Sequence, residues 1–314
     1  MQIFFILGIP LLLSAASLIF KRQRALSIIN AIGYLLVLLF SASLLRDAVV
    51  TKSVVAYFNF IYLDALSAFF VFVVSVVAFA SALYSIGYIR NDVANGMITE
   101  RKARIYYLFF NLFCISMFFV PAVNNLGMLW VAIEMTTLIS AFLVGFYNKK
   151  ESVEAAWKYI IICSVGIILA LLGTILFSFA FSQVFQFKSL NWTDMAMAAG
   201  SMDKNLLKIA FIFILVGYGT KAGLAPMHTW LPDAHSQAVS PISALLSGVL
   251  LKTAIYAILR FGIIVIKAVG FSYFSNLMII FGLVSLAISS GFVLVQKDLK
   301  RLLAYSSIEH VGII

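Results

Sequence analysis

The sequence has 314 residues, of which 63% are apolar and only 11% charged, and its mean hydropathy is +1.08. An ordinary soluble domain carries about 25% charged residues, and a soluble chain this apolar would expose patches that soluble monomers rarely show. A soluble enzyme, a disordered chain and a nucleic-acid module are excluded, so the net charge of +10 reads as basic loops flanking membrane spans.

A helix needs about 20 apolar residues to cross a hydrocarbon core. Ten runs approach that length: 2–20, 25–45, 64–88, 105–122, 126–147, 154–181, 205–219, 240–264, 272–295 and 301–314. The first has no basic start and no small-residue cleavage site, and another run follows at once. It is a span, not a removable signal. The predicted fold class is an all-α polytopic membrane protein of about ten transmembrane helices. If every run crosses, Lys21, Arg22 and Arg24 share one side with Arg90, Arg101, Lys102, Arg104, Lys149, Lys150, Lys297, Lys300 and Arg301. The opposite side holds only Arg46, Lys52, Lys188, Lys204 and Lys267. The positive-inside rule then puts the N-terminus outside and the basic loops in the cytoplasm. A multi-pass protein of a prokaryotic inner (plasma) membrane is expected.

Cys114 and Cys163 sit far apart inside apolar runs and form no CxxC pair. They read as packed thiols, and neither a metal nor a cofactor is expected.

The informative residues are ionisable groups inside the runs, where a charge costs about 2.5–3.5 kcal/mol. Asp64, opening the third run in YLDALSAFF, reads as a helix cap or interface residue. Glu134 lies inside the fifth run, in LWVAIEMTTLIS. Lys158 starts the sixth run, where it either snorkels or faces the interior. Lys221 follows GYGT at the end of the seventh run, and Lys252 lies mid-way along the eighth, in SGVLLKTAIYAI. Left unpaired, Glu134, Lys221 and Lys252 would together cost about 8–10 kcal/mol. They are expected to face the bundle interior and to pair with one another or with water. The bland alternative is a buried ion pair that only fixes helix packing.

The stretch after Lys221, GYGTKAGLAPMHTWLPDAHSQAVSP, carries breaks at Gly223, Pro226, Pro232 and Pro241. A broken helix is tolerated where it lines a cavity or is buried in protein, and transporters build ion sites from such breaks. His228 and His235 would share a face with Lys221 on an unbroken helix, an alignment the prolines put in doubt. Either histidine reads as a proton relay or as a packing residue. Their spacing does not suit a metal site. Arg260, near the far end of the eighth run, reads as a snorkelling anchor. Glu309 and His310, about two turns into the last run, could continue a polar path beside Ser306 and Ser307.

Four stretches resemble a known family: AIEMTTLISAFLVGFY, EAAWKYIIICSVGIILALLGT, KAGLAPMHTWLPDAHSQAVSPISALLSGVLLKTAIYAILRF and DLKRLLAYSSIEHVG. The family is the antiporter-like membrane subunits of respiratory complex I, membrane-bound hydrogenases and multisubunit sodium/proton antiporters. YSIGYIR, EAAWKYIIIC and the third stretch are most similar to hydrogenase-4 component F. The resemblance implies two inverted five-helix repeats, each with a broken helix. It matches Glu134 to the family's fifth-helix glutamate, Lys221 to the lysine at the broken seventh helix and Lys252 to the eighth-helix lysine. His310 falls near a tenth-helix histidine. Residues 1–104 are then N-terminal helices, 105–264 the first repeat and 265–314 the start of a second. Because the last apolar run stops at HVGII, the chain is expected to be truncated within that second repeat.

Together these readings predict a membrane subunit that moves protons, or sodium ions, through a buried Glu134–Lys221–Lys252 relay. It would be coupled to a redox complex of hydrogenase-4 or NADH:quinone oxidoreductase type. His228, His235, Lys158, Glu309 and His310 are secondary relay candidates. With no redox centre of its own, the chain is an energy-coupling subunit and not the catalyst. Its partners would be other membrane subunits and the bilayer, not nucleic acid. The alternatives are a subunit of a multisubunit sodium/proton antiporter, a non-transporting membrane anchor for a hydrogenase, and a quinone-binding enzyme. Nothing in the sequence marks the last of these.

Overall fold

The computed structural model describes residues 2–20, 22–185 and 189–314. Lys21 and Lys188, counted among the loop charges, lie outside them. Hydrocarbon offers backbone groups no partner, so apolar runs satisfy their own hydrogen bonds as helices. Nine helices among the described residues are long and apolar enough to cross a membrane. Six lie in the first part of the chain: α1 (Gln2–Ile19), α2 (Gln23–Thr51), α3 (Ala65–Ala94), α4 (Glu100–Ala122), α5 (Leu126–Val144) and α6 (Lys150–Ser182). After the short α7 (Trp192–Ala198) come α8 (Lys204–Ala222) and the short α9 (Trp230–Gln237). The helix Ser240–Ala268 is built from α10 (Ser240–Leu245), a π-helical stretch Leu246–Leu250 and α11 (Leu251–Ala268). It is followed by α12 (Phe271–Val293).

The tenth apolar run is helical too, as α13 (Leu299–Ile313), but has only 15 residues. Asp298 caps it by accepting from Arg301 N at 2.8 Å. The loop before the third span contains a hairpin that the hydropathy pattern does not announce, pairing Ser53 with Asp64 and Ala56 with Ile61. Asp64 then caps α3, accepting from Ser67 N at 2.9 Å.

The chain forms two compact units. One comprises the chain up to Val123, Met135–Ala156 and Gln237–Leu250. There α2 packs along α3, and α1 against α2 and α4. Its core holds a closed amide–phenol network. Asn111 Nδ2 donates to Asn30 Oδ1 and to Tyr107 O, both at 2.8 Å. Tyr34 Oη donates to Asn111 Oδ1 at 2.9 Å. Every member is buried and bonded, the condition under which a buried polar network rigidifies and specifies packing, its hydrogen bonds offsetting the desolvation cost.

The other unit comprises Asn124–Glu134, Trp157–Ser236 and Leu251–Ile314. Here α8 packs on α11, α11 on α12, and α12 on α13. All eight ionisable site candidates belong to this unit.

Candidate functional site

The site is organised by the end of α8. Gly223, in left-handed backbone at φ +78°, terminates the helix one residue after Ala222; a side chain is strained there. Gly223 N donates to Thr220 O and Leu224 N to Gly219 O, at 3.2 and 2.9 Å, which closes carbonyls that a helix end leaves open. Trp230 Nε1 donates to Thr220 O at 2.9 Å, and Ala225 N donates to Ser285 Oγ of α12 at 2.9 Å. Of the four expected breaks, Gly223 and Pro226 lie in the interruption itself. Pro232 is inside the first turn of α9 and Pro241 in the first turn of α10, where a missing N–H costs nothing. The interruption between α8 and α9 removes the single helical face that would have aligned Lys221, His228 and His235.

Lys221, in the last turn of α8, is fully buried. Its ammonium donates to Tyr159 Oη and stands 4.6 Å from the centre of the Tyr159 ring. Tyr159 is itself buried and packs against Trp230, ring centres 4.7 Å apart. The contact depends on how closely α6 and α8 cross. Gly217 faces the α6 main chain so tightly that a Cβ there would meet Ala170 N at 2.5 Å. Small residues at helix crossings let backbones approach in this way.

Glu134 is carried to α6 by Trp130, one turn earlier on α5, whose Nε1 donates to Ile167 O at 2.7 Å. Glu134 Oε1 accepts from Ser164 Oγ at 3.0 Å, and Oε2 is buried without a hydrogen-bond partner. Two sequence-predicted residues, Glu134 and Lys221, thus each bond a side chain of α6, Ser164 and Tyr159 respectively. The residues that hold them, Tyr159 and Ser164, were not anticipated. Their signal in the sequence is weak: only Tyr159 and Cys163 share the i, i+4 spacing of one helix face, within a run that is otherwise apolar.

Lys252 is half-buried on α11, directly after the π-helical stretch. His235 is buried in the last turn of α9. His228 is buried in the interruption, 6.4 Å from the Tyr305 ring, and its Nδ1 has no hydrogen-bond partner. Lys158 is about half-exposed and joins Asp233 of α9 at 3.3 Å, which also takes Arg301 at 2.6 Å. Glu309 is half-exposed and His310 exposed on α13. Arg260 departs from its expected role: at 3% exposure it is no snorkelling anchor. It stacks instead between aromatic rings, which match a weakly hydrated guanidinium.

The family model described as "NADH:quinone oxidoreductase/Mrp antiporter, TM" matches residues 122–314, and that described as "NADH-Ubiquinone oxidoreductase (complex I), chain 5 N-terminus" matches 53–95. The chain is 41% identical over 258 residues to the "Hydrogenase-4 component F homolog" of Methylacidiphilum infernorum, covering 82% of this chain and 54% of the relative. It is 32% identical to "Hydrogenase-4 component B" of Escherichia coli K12, covering 80% of this chain and 36% of the relative. The chain therefore spans about half or less of the length of these relatives. Among solved structures, it superposes on a chain of the membrane-bound sulfane sulfur reductase, an archaeal respiratory membrane complex, with a TM-score of 0.87 and 25% identity, covering 100% of this chain and 64% of that one. It also superposes on a chain of respiratory complex I from Thermus thermophilus with a TM-score of 0.75, covering 99% and 62%, where 22% identity supports the fold alone. With the family match covering more than half of its length, this multi-pass membrane chain belongs to the transmembrane family of NADH:quinone oxidoreductases and Mrp antiporters.

Proposed function

We propose that this chain is an ion-translocating membrane subunit of a hydrogenase-4-type or NADH:quinone-oxidoreductase-type complex. Glu134, Lys221 and Lys252 are its proton relay. His235 and His228 are accessory groups, and Lys158, Glu309 and His310 lie at the margin. The repeat would run over 105–264, with the basic loops in the cytoplasm and the N-terminus outside a prokaryotic inner membrane. The observation that carries the reading is the fully buried Lys221 held by a neutral phenol. A hydroxyl both accepts and donates, whereas an ammonium only donates. Protonated Lys221 donates to Tyr159 Oη, and deprotonated Lys221 accepts from it, so a proton can leave without stranding a buried polar group. Ser164 serves Glu134 in the same way. Ionisable groups this deep are expensive in a membrane and mark ion pathways, which disfavours a mere anchor. The names of the relatives and of the matched complexes support a redox-coupled assembly with other membrane subunits.

The test is Lys221→Ala and Glu134→Gln in the full-length protein assembled with its partners. Coupled proton transport should fall strongly while assembly persists; wild-type pumping by either variant overturns the relay. The family description also covers Mrp antiporters. Transport that stops when sodium is withheld from sealed vesicles would favour a sodium/proton antiporter subunit.

A further inference from the structure

Among the described residues, the relay leaves one buried cation, Arg260, unused. Arg260 lies eight residues after Lys252 on α11, about 12 Å along the axis, toward the charge-poor end. Tyr256 stands between them at four-residue spacing, so Lys252, Tyr256 and Arg260 share one flank of the helix. The Arg260 Nε donates to Tyr256 Oη at 2.8 Å. Its guanidinium carbon lies 4.9 Å from the centre of the Tyr256 ring and 4.4 Å from that of Trp192. Trp192 opens α7, and its Nε1 donates to Arg260 O at 2.8 Å. Further along, Lys267 Nζ donates to Ala196 O of α7 at 3.2 Å. Thus α7 is fastened over this end of α11 at two points, with a buried guanidinium beneath it.

Fastening α7 needs only the indole and the backbone carbonyl; it does not need a charge. Arginine, unlike lysine, never gives up its proton, so Arg260 can pass nothing on and stands as a fixed positive charge. A cation leaving Lys252 along this flank would meet like charge in a low-dielectric surrounding, the device by which pores exclude protons and cations. We propose that Arg260, clamped by Trp192 and Tyr256, is an electrostatic seal that stops cations received at Lys252 from leaving toward the charge-poor end. The seal rests on the reading of Lys221 and Lys252 as a relay.

The test uses proteoliposomes of the full-length protein in its assembled complex, without turnover. They are energised by a potassium diffusion potential and monitored with a pH-sensitive dye. Arg260→Gln is expected to raise the proton leak about tenfold, the scale on which focused charge alters ion access. Arg260→Lys, which keeps the charge, should leak like wild type. Adding Lys252→Met to Arg260→Gln should abolish the excess. An unchanged leak in Arg260→Gln, an equal excess in Arg260→Lys, or an excess that survives Lys252→Met overturns the seal. Where Arg260→Gln does not assemble, Arg260→Met, which removes the charge and needs no buried hydrogen-bond partner, carries the test: a raised leak removed by Lys252→Met upholds the seal, and an unchanged leak overturns it. Transport driven by the complex's own reaction reads the relay separately. If the relay itself is wrong, Lys221→Ala pumps at the wild-type rate whatever the Arg260 variants do.

Discussion

Replacing Gly217 by alanine puts a methyl group where two helix backbones already touch. The added Cβ would stand 2.5 Å from Ala170 N, 2.7 Å from Ala170 Cβ and 2.7 Å from Gly166 O. Ordinary contact between such atoms is about 3.5–4.0 Å. Main-chain atoms have no rotamer to escape into, so α6 and α8 must part by about 1 Å. Overpacking of this kind costs about 1–3 kcal/mol. The same displacement lengthens the Lys221–Tyr159 hydrogen bond toward the limit at which it ceases to count as one, forfeiting part of the about 1.5–3 kcal/mol of a bond to a charged group. Gly217→Ala should therefore lower both the melting temperature of the purified protein and its ion transport. Gly291→Ala on α12, where a Cβ meets nothing within 4 Å, should change neither. Wild-type melting and transport in Gly217→Ala would refute the argument that backbone contact sets the Lys221 site.

Tyr159→Phe keeps a ring under the ammonium but removes the hydroxyl; ion transport should fall about tenfold, at the lower end of what a hydrogen bond to a charge is worth, and Tyr159→Leu should fall further. Equal transport by Tyr159→Phe and wild type would remove the phenol from the relay. Asn111→Ala strands the Tyr34 hydroxyl and the Asn30 amide oxygen, at about 1–3 kcal/mol for each buried group left unmade. Thermal melts should show a large loss of stability, with little change in transport per assembled molecule. Asp233→Asn breaks two partly exposed ion pairs, each worth about 0–1 kcal/mol. Its effect on melting should be small and should shrink further as salt is raised.

Hydropathy made the helical runs legible because a span is a one-dimensional property: about 20 apolar residues in a row. Glu134 and Lys221 were legible because charge inside an apolar run is conspicuous. Tyr159 and Ser164 were not, since a phenol and a hydroxyl raise no alarm in such a run. Their importance arises only when Gly217 brings α6 against α8. Arg260 was misread for a related reason. Sequence distance from a span's end suggests snorkelling, whereas burial here depends on Trp192, which lies 68 residues away in the chain.

The interruption between α8 and α9 has a mechanical meaning. Breaks in transmembrane helices are often pictured as hinges, yet this one is laced with protein hydrogen bonds. Gly223, Leu224 and Leu231 donate to local carbonyls, Ala225 to Ser285, and the Trp230 indole back to Thr220. Bending it would rupture several of these bonds at once, with no water in hydrocarbon to replace them. It is a welded elbow more than a flexible joint. If Lys221 carries the proposed relay, the motion that serves it falls to the side chains, as the ammonium trades neighbours at a fixed station, while the backbone holds that station still.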